Sequence, residues 1–161
     1  MKKSLSVLFV IALFICPSLK GQTDNAKEEA AIKAVIEGEI NASFNGDYNT
    51  WASYFVHESY VVWMQAWKDG YGSWVGWDEI SKQAKNWVKP ERKGTITFNG
   101  NYDYKLRIYN NAAYVSFKCK STKISQGQSN VSDAMEVRFL EKSDGGWKIA
   151  YLSSIYTATY K

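Results

Sequence analysis

The chain has 161 residues, a length that suits one domain with a sizeable core. Its two Cys and one His are too few for the usual zinc and copper sites, so no metal is expected. Of the formal net charge of +4, Lys2, Lys3 and Lys20 carry three units, and the remaining +1 is no electrostatic footprint for nucleic acid.

Those three lysines belong to a segment with the pattern of an export signal. Lys2 and Lys3 are followed by the uncharged apolar run from Leu5 to Ile15, then by Pro17, Ser18 and the small Gly21. This predicts a cleaved leader over residues 1–21 and a mature domain over 22–161, periplasmic or extracellular. The run is too short to span a bilayer. Cys16 after an apolar run offers lipidation as the alternative, although Ile15 is bulky where a small residue is expected; otherwise the mature form has no membrane attachment. Once Cys16 leaves, Cys119 is alone and no intramolecular disulfide can form.

A helix is predicted over 24–44. Ile32, Val35, Ile36, Ile40 and Phe44 recur at three- and four-residue steps, Asp24 or Asn25 can cap its start, and Asn45-Gly46 ends it. A short second helix over 47–55 carries Trp51, Tyr54 and Phe55. Tyr60 to Trp67 reads as a strand, Asp69 to Gly72 as a turn and Ser73 to Gly76 as a short return strand. A third helix covers 77–89, with Asp78 and Glu79 in its first turn and Pro90 after it. Four strands follow, at 95–109, 112–124, 131–142 and 147–158. Asn110-Asn111 and Asp144 to Gly146 are hairpin turns, and Lys123 to Asn130 is a polar loop. Gly100 inside a strand signals a bulge that bends the sheet. Helices segregated to one face of an antiparallel sheet make an α+β domain of about six strands on three helices.

The seven Trp and eleven Tyr exceed what a plain core needs and fit a concave site lined by rings, with aromatic packing as the alternative. Neither a nucleophile elbow, a phosphate loop nor a dinucleotide fingerprint is present, so no cofactor is expected.

The order of elements resembles the nuclear transport factor 2-like superfamily, with its SnoaL-like and ketosteroid-isomerase-like members. Three segments carry the resemblance: Asn45-Gly46-Asp47 at the first helix end, Gly76-Trp77-Asp78-Glu79-Ile80 opening the third helix, and Arg138-Phe139 through Gly145-Gly146-Trp147-Lys148-Ile149 as closing hairpin. It implies a cone-shaped, cystatin-like fold over residues 26–157, with a pocket at the open end. The hairpin is also similar to that of the association domain of calcium/calmodulin-dependent kinase, where the arginine matching Arg138 lies in the pocket and can meet a carboxylate. Further pocket positions of that domain, arginines and histidines there, fall near Cys119 and Ser154 and at Tyr151 and Ser153. The resemblance thus implies a lining of Trp63, Trp67, Cys119, Arg138, Tyr151 and Ser153.

Isomerase chemistry of the family type is not expected. Its base falls at Trp63, with no carboxylate between Glu58 and Asp69, and its acid near Met135. Asp103, Arg107 and Asp133 could form the water-activating set of the epoxide-hydrolase members, but alternation with Tyr102, Tyr104, Leu106 and Ile108 turns the charges outward. His57 with Glu58 reads as a base and its orienter or as a solvated loop end. Arg138 alternates with Val137 and Phe139. Facing inward, its charge needs Glu136, a ligand anion or water; facing outward, it pairs with Glu136. The last strand has Trp147, Ile149 and Tyr151 on one face and Ala150 and Leu152 on the other, so its second face needs a cover. A homodimer through the convex sheet would supply it. The expected function is an exported, non-catalytic domain holding a small apolar or weakly acidic molecule. The alternatives are a cofactor-free SnoaL-like enzyme and an interaction domain whose pocket its own rings fill.

Overall fold

The computed structural model describes residues 18–160 apart from Gln126, with side chains over 25–156 apart from Arg92, Ser125 and Gln126. Most of the expected leader, with Cys16, lies outside the described residues. Helix α1 runs over Ser18–Asn45, passing through both Asp24 and Asn25 rather than being capped by either. Its stripe buries Ile32, Ile36 and Ile40 completely or nearly so. Helix α2 is Tyr48–Ser53, started by the Asp47 side chain accepting from the Thr50 N–H. Strands β1 (Val62–Trp67) and β2 (Gly70–Val75) form a tight hairpin, with β2 starting three residues before the expected point because the turn is at Lys68-Asp69. Helix α3 (Trp77–Trp87) seats Ile80 and Ala84 in the core.

Strands β3 (Ile96–Tyr109), β4 (Ala112–Ser125), β5 (Gln128–Ser143) and β6 (Gly146–Tyr160) complete one open six-stranded sheet, in the order β2-β1-β6-β5-β4-β3. The segment expected as a polar loop from Lys123 to Asn130 is mostly paired strand, since Lys123 faces Asn130 and Ser125 faces Gln128 in the β4–β5 ladder. The sheet is antiparallel except that β1 and β6 run parallel, Trp63 opposite Leu152. That pair joins the first hairpin to the closing one. It is not a chain neighbour pair, so no turn signal marks it.

Three bulges decide which side chains face the helices. Gly100, at φ +118°, shifts the β3–β4 register as expected. Asp103, at φ +55°, supplies one extra residue between Tyr102 and Tyr104. The parity therefore changes within β3: Asn101, Tyr104, Leu106 and Ile108 turn inward, while Tyr102 turns out and donates its hydroxyl to Asp133 at 3.1 Å. The expectation of an inward Tyr102 is corrected by this bulge. In β6, Ile149 faces Leu140 and Tyr151 faces Phe139, which leaves Ala150 as the extra residue. Trp147 and Ile149 thus share the inner face with Leu152 and Ser154, and Tyr151 and Ser153 fall on the outer one. The core lies between this inner face and the three helices.

Candidate functional site

The inner face of β5 presents Ala134, Glu136, Arg138 and Leu140, all buried. Arg138 is 2 % exposed and points toward α1. Its Nη1 donates to Glu136 Oε2 at 2.7 Å, and its Nη2 donates to Glu39 Oε2 at 3.0 Å. The other Glu39 oxygen accepts from Trp51 Nε1 at 2.9 Å, and Glu136 Oε2 also accepts from the Ser154 hydroxyl at 2.7 Å. Arg138 stacks above Phe117, its guanidinium carbon 5.5 Å from the ring centroid. Two carboxyl groups, one guanidinium, an indole and a hydroxyl therefore form one connected network in the core.

Burial penalises the Arg138 charge, but the Glu39 and Glu136 carboxylates outweigh that and raise its pKa further. For Glu136, burial dominates and pushes the carboxyl above its ordinary range, with Arg138 and Ser154 pulling the other way. Two acids sharing one base leave the second acid less than fully compensated.

The network floors a cavity of about 60 Å³, whose walls include Ile40, Phe44, Trp51, Trp63, Gln65 and Cys119. This space holds a few waters or one small polar group. It abuts a wider recess of about 280 Å³ made by Phe44, Trp63, Trp67, Trp87, Val88 and Tyr156. The two spaces share Ser43, Phe44, Trp63, Gln65 and Tyr156, so chamber and vestibule are contiguous. Beside the chamber the rings pack on one another: Trp51 lies 4.3 Å from Phe55 and 5.7 Å from Trp63, and Trp63 lies 4.9 Å from Trp74, centroid to centroid.

The fold places four of the six expected lining residues together. Trp63, Cys119 and Arg138 line the chamber, and Trp67 lines the vestibule. Tyr151 and Ser153 do not line it, because the extra residue at Ala150 carries them to the outer face; Ser153 meets Arg138 only through its backbone carbonyl, at 3.5 Å. Asp103 pairs with Lys118 at 2.9 Å on the outer face, and Arg107 is exposed, so neither converges with Asp133 on the cavity. His57 is exposed, stacked on Trp77 at 3.8 Å, with Nε2 2.9 Å from the Ala52 carbonyl. It too is away from the chamber. Among the described residues, no group of three His, Cys, Asp or Glu could hold a metal.

Sequence reading missed Glu39 and Trp51; it placed a pocket position near Ser154 without including that residue in the lining. Glu39 had a signal: it stands seven residues after Ile32 and three after Ile36, on the apolar stripe itself. A carboxylate on a buried stripe needs a cation, and Arg138 on an apolar strand needs an anion.

No family model matches the sequence, and no curated protein matches it. Solved structures do. A protein with a cystatin-like fold from Novosphingobium aromaticivorans superposes with a TM-score of 0.69 at 9 % identity, over 90 % of this chain and 92 % of that one. The fold is nuclear transport factor 2-like. A hexachlorocyclohexane dehydrochlorinase from Novosphingobium barchaimii has a TM-score of 0.68 at 16 % identity, over 86 % of this chain and 92 % of its own. The association domain of C. elegans CaMKII has a TM-score of 0.65 at 14 % identity, over 83 % and 98 %. The nuclear transport factor 2-like fold is thus shared by enzymes and association domains alike, and at these identities it is the architecture that is shared.

Proposed function

We propose that this chain is an exported, non-catalytic binding domain for a small, mostly apolar molecule. The observation that carries the reading is the vestibule. Trp67, Trp87 and Tyr156 keep about two-fifths of their surface in solvent at the mouth of a recess that leads to buried polar groups. Large rings left wet around a concavity favour an apolar ligand body. The test is a thermal-shift screen of the protein against apolar acids, sterols and aromatic metabolites, beside a Trp67→Ala, Trp87→Ala double variant. Ligand binding to the folded state raises the melting temperature by mass action. A hit that the double variant loses supports the reading; a library without effect on the wild type rejects it. Export is tested by cell fractionation with N-terminal mass analysis, and a product retaining residues 1–21 in the cytoplasm rejects it.

One observation favours a second, enzymatic reading. Glu136 lines the chamber and its carboxyl is pushed toward the protonated form, which suits a general acid. Turnover that Glu136→Gln abolishes without loss of binding would favour it over the first.

The outer sheet face supports a homodimer. Tyr114, Met135, Phe139 and Ile155 on β4, β5 and β6 are all more than a third exposed on that face. A second copy of this face would cover them. A monomeric mass by light scattering at micromolar concentration would remove this proposal.

A further inference from the structure

We propose that the chamber receives an uncharged oxygen of its ligand, a phenol, alcohol or carbonyl group, rather than a carboxylate or an ammonium. This names the ligand class for the binding domain proposed above and rests on that reading.

The first observation concerns donors. Trp63 and Arg138 both line the chamber, at 5 % and 2 % exposure. Yet Trp63 Nε1 and Arg138 Nε, both buried, have no hydrogen-bond partner in the protein. Indole and guanidinium N–H groups donate only, so what satisfies them is an acceptor. Such groups are costly to leave unpaired in a dry interior. An ammonium offers three more donors and no acceptor, and leaves both orphans unpaired.

The second observation concerns charge. Arg138 is already held by two acids, Glu39 and Glu136, so it has no positive charge to spare for a ligand anion. The side chains that line the chamber from the other strands are uncharged: Trp63 and Gln65 from β1, Cys119 from β4, Leu152 and Ser154 from β6. Burial keeps the Cys119 thiol neutral, its pKa pushed up to about 12. A ligand carboxylate would therefore bring an uncompensated negative charge into a low-dielectric space. A neutral oxygen avoids both penalties. It accepts from the orphaned N–H groups, while the apolar body of the ligand packs in the vestibule against Trp67 and Trp87.

The experiment uses four probes with one ring system: 2-naphthol, 2-naphthoate, 2-naphthylmethylammonium and naphthalene. Each is titrated into the 15N-labelled protein while the seven indole N–H signals are followed, with that of Trp63 assigned by its loss in Trp63→Phe. The expected result is that 2-naphthol binds at least about tenfold more tightly than the two charged probes, a free-energy gap of about 1.4 kcal/mol. It should move the Trp63 indole proton downfield, and the preference should collapse in Trp63→Phe while naphthalene still binds. A naphthoate or ammonium that binds tightest overturns the ligand class and leaves the binding site standing. So does a 2-naphthol complex in which the Trp63 signal stays still. This ranking in the wild type does not depend on the variant folding. If none of the four moves the Trp63, Trp67 or Trp87 signals at millimolar concentration, the binding reading itself fails, and the ligand class with it.

Discussion

The Glu39 carboxylate and the Arg138 guanidinium are separated by 99 positions in the chain and by 3.0 Å in the core. Arg138 is thus a cross-link between α1 and the sheet before it is anything to a ligand. Arg138→Ala leaves Glu39 and Glu136 buried with no cation between them. It should destabilise the protein by about 3–5 kcal/mol in urea unfolding, the usual range for breaking one side of a buried pair. Replacing the trio together, as Glu39→Leu, Glu136→Leu and Arg138→Met, should recover most of that loss. A stable Arg138→Ala with an unchanged urea midpoint would contradict the connected network.

Trp51 holds Glu39 through its indole N–H at 2.9 Å while its ring packs on Phe55 and Trp63. Trp51→Phe keeps a ring and removes the donor to a buried charge. The expected cost is about 1.5–3 kcal/mol for the hydrogen bond, with a packing loss in addition. A change below about 0.5 kcal/mol in equilibrium unfolding would show that the indole N–H contributes nothing net to Glu39.

Two carboxylates give opposite slopes of stability against pH. Glu28 accepts from Lys142 Nζ and from Trp147 Nε1, both at 2.7 Å, and these bonds, Lys142 first, lower its pKa. Its contribution is present above the ordinary carboxylate range and is lost as pH falls through its depressed pKa. Glu136 is the reverse, because burial raises its pKa. Its contribution is full below the unfolded pKa and declines as pH rises through the folded one. Melting temperature measured against pH should therefore lose part of its acid-side fall in Glu28→Gln and part of its basic-side decline in Glu136→Gln. Interchanged effects would refute the assignment.

Cys119 is 5 % exposed, and burial is the main cause that raises its thiol pKa to about 12. Reactivity follows thiolate fraction and access, and both are low here. Iodoacetamide at pH 8 should leave Cys119 unmodified in the native protein and alkylate it fully in urea, as read by peptide mass mapping. Rapid native labelling would contradict the burial of this thiol.

Much of the architecture was legible because it is periodic. The stripe from Ile32 to Phe44, the strands around Asn110-Asn111 and Asp144 to Gly146, and the bend at Gly100 all appear where local pattern and turn chemistry place them. Parity failed for one cause. A bulge moves every later side chain of a strand to the other face, and nothing in the residue types at Asp103 or Ala150 announces one. That is why Tyr102 turns out and why Tyr151 and Ser153, positions the resemblance implied, fall on the outer face.

The sequence by itself determined the α+β class and the element order. These follow from local periodicity and from a family-like order of motifs, which survive without knowledge of long-range partners. Only the tertiary structure decided what neutralises Arg138. Glu39 lies on another element almost a hundred residues away, and the parallel β1–β6 pairing that closes the chamber joins strands with no shared turn. Charge compensation in a core is a property of which groups meet in three dimensions, and that meeting decided among Glu136, a ligand anion and water in favour of Glu136, with Glu39 beside it.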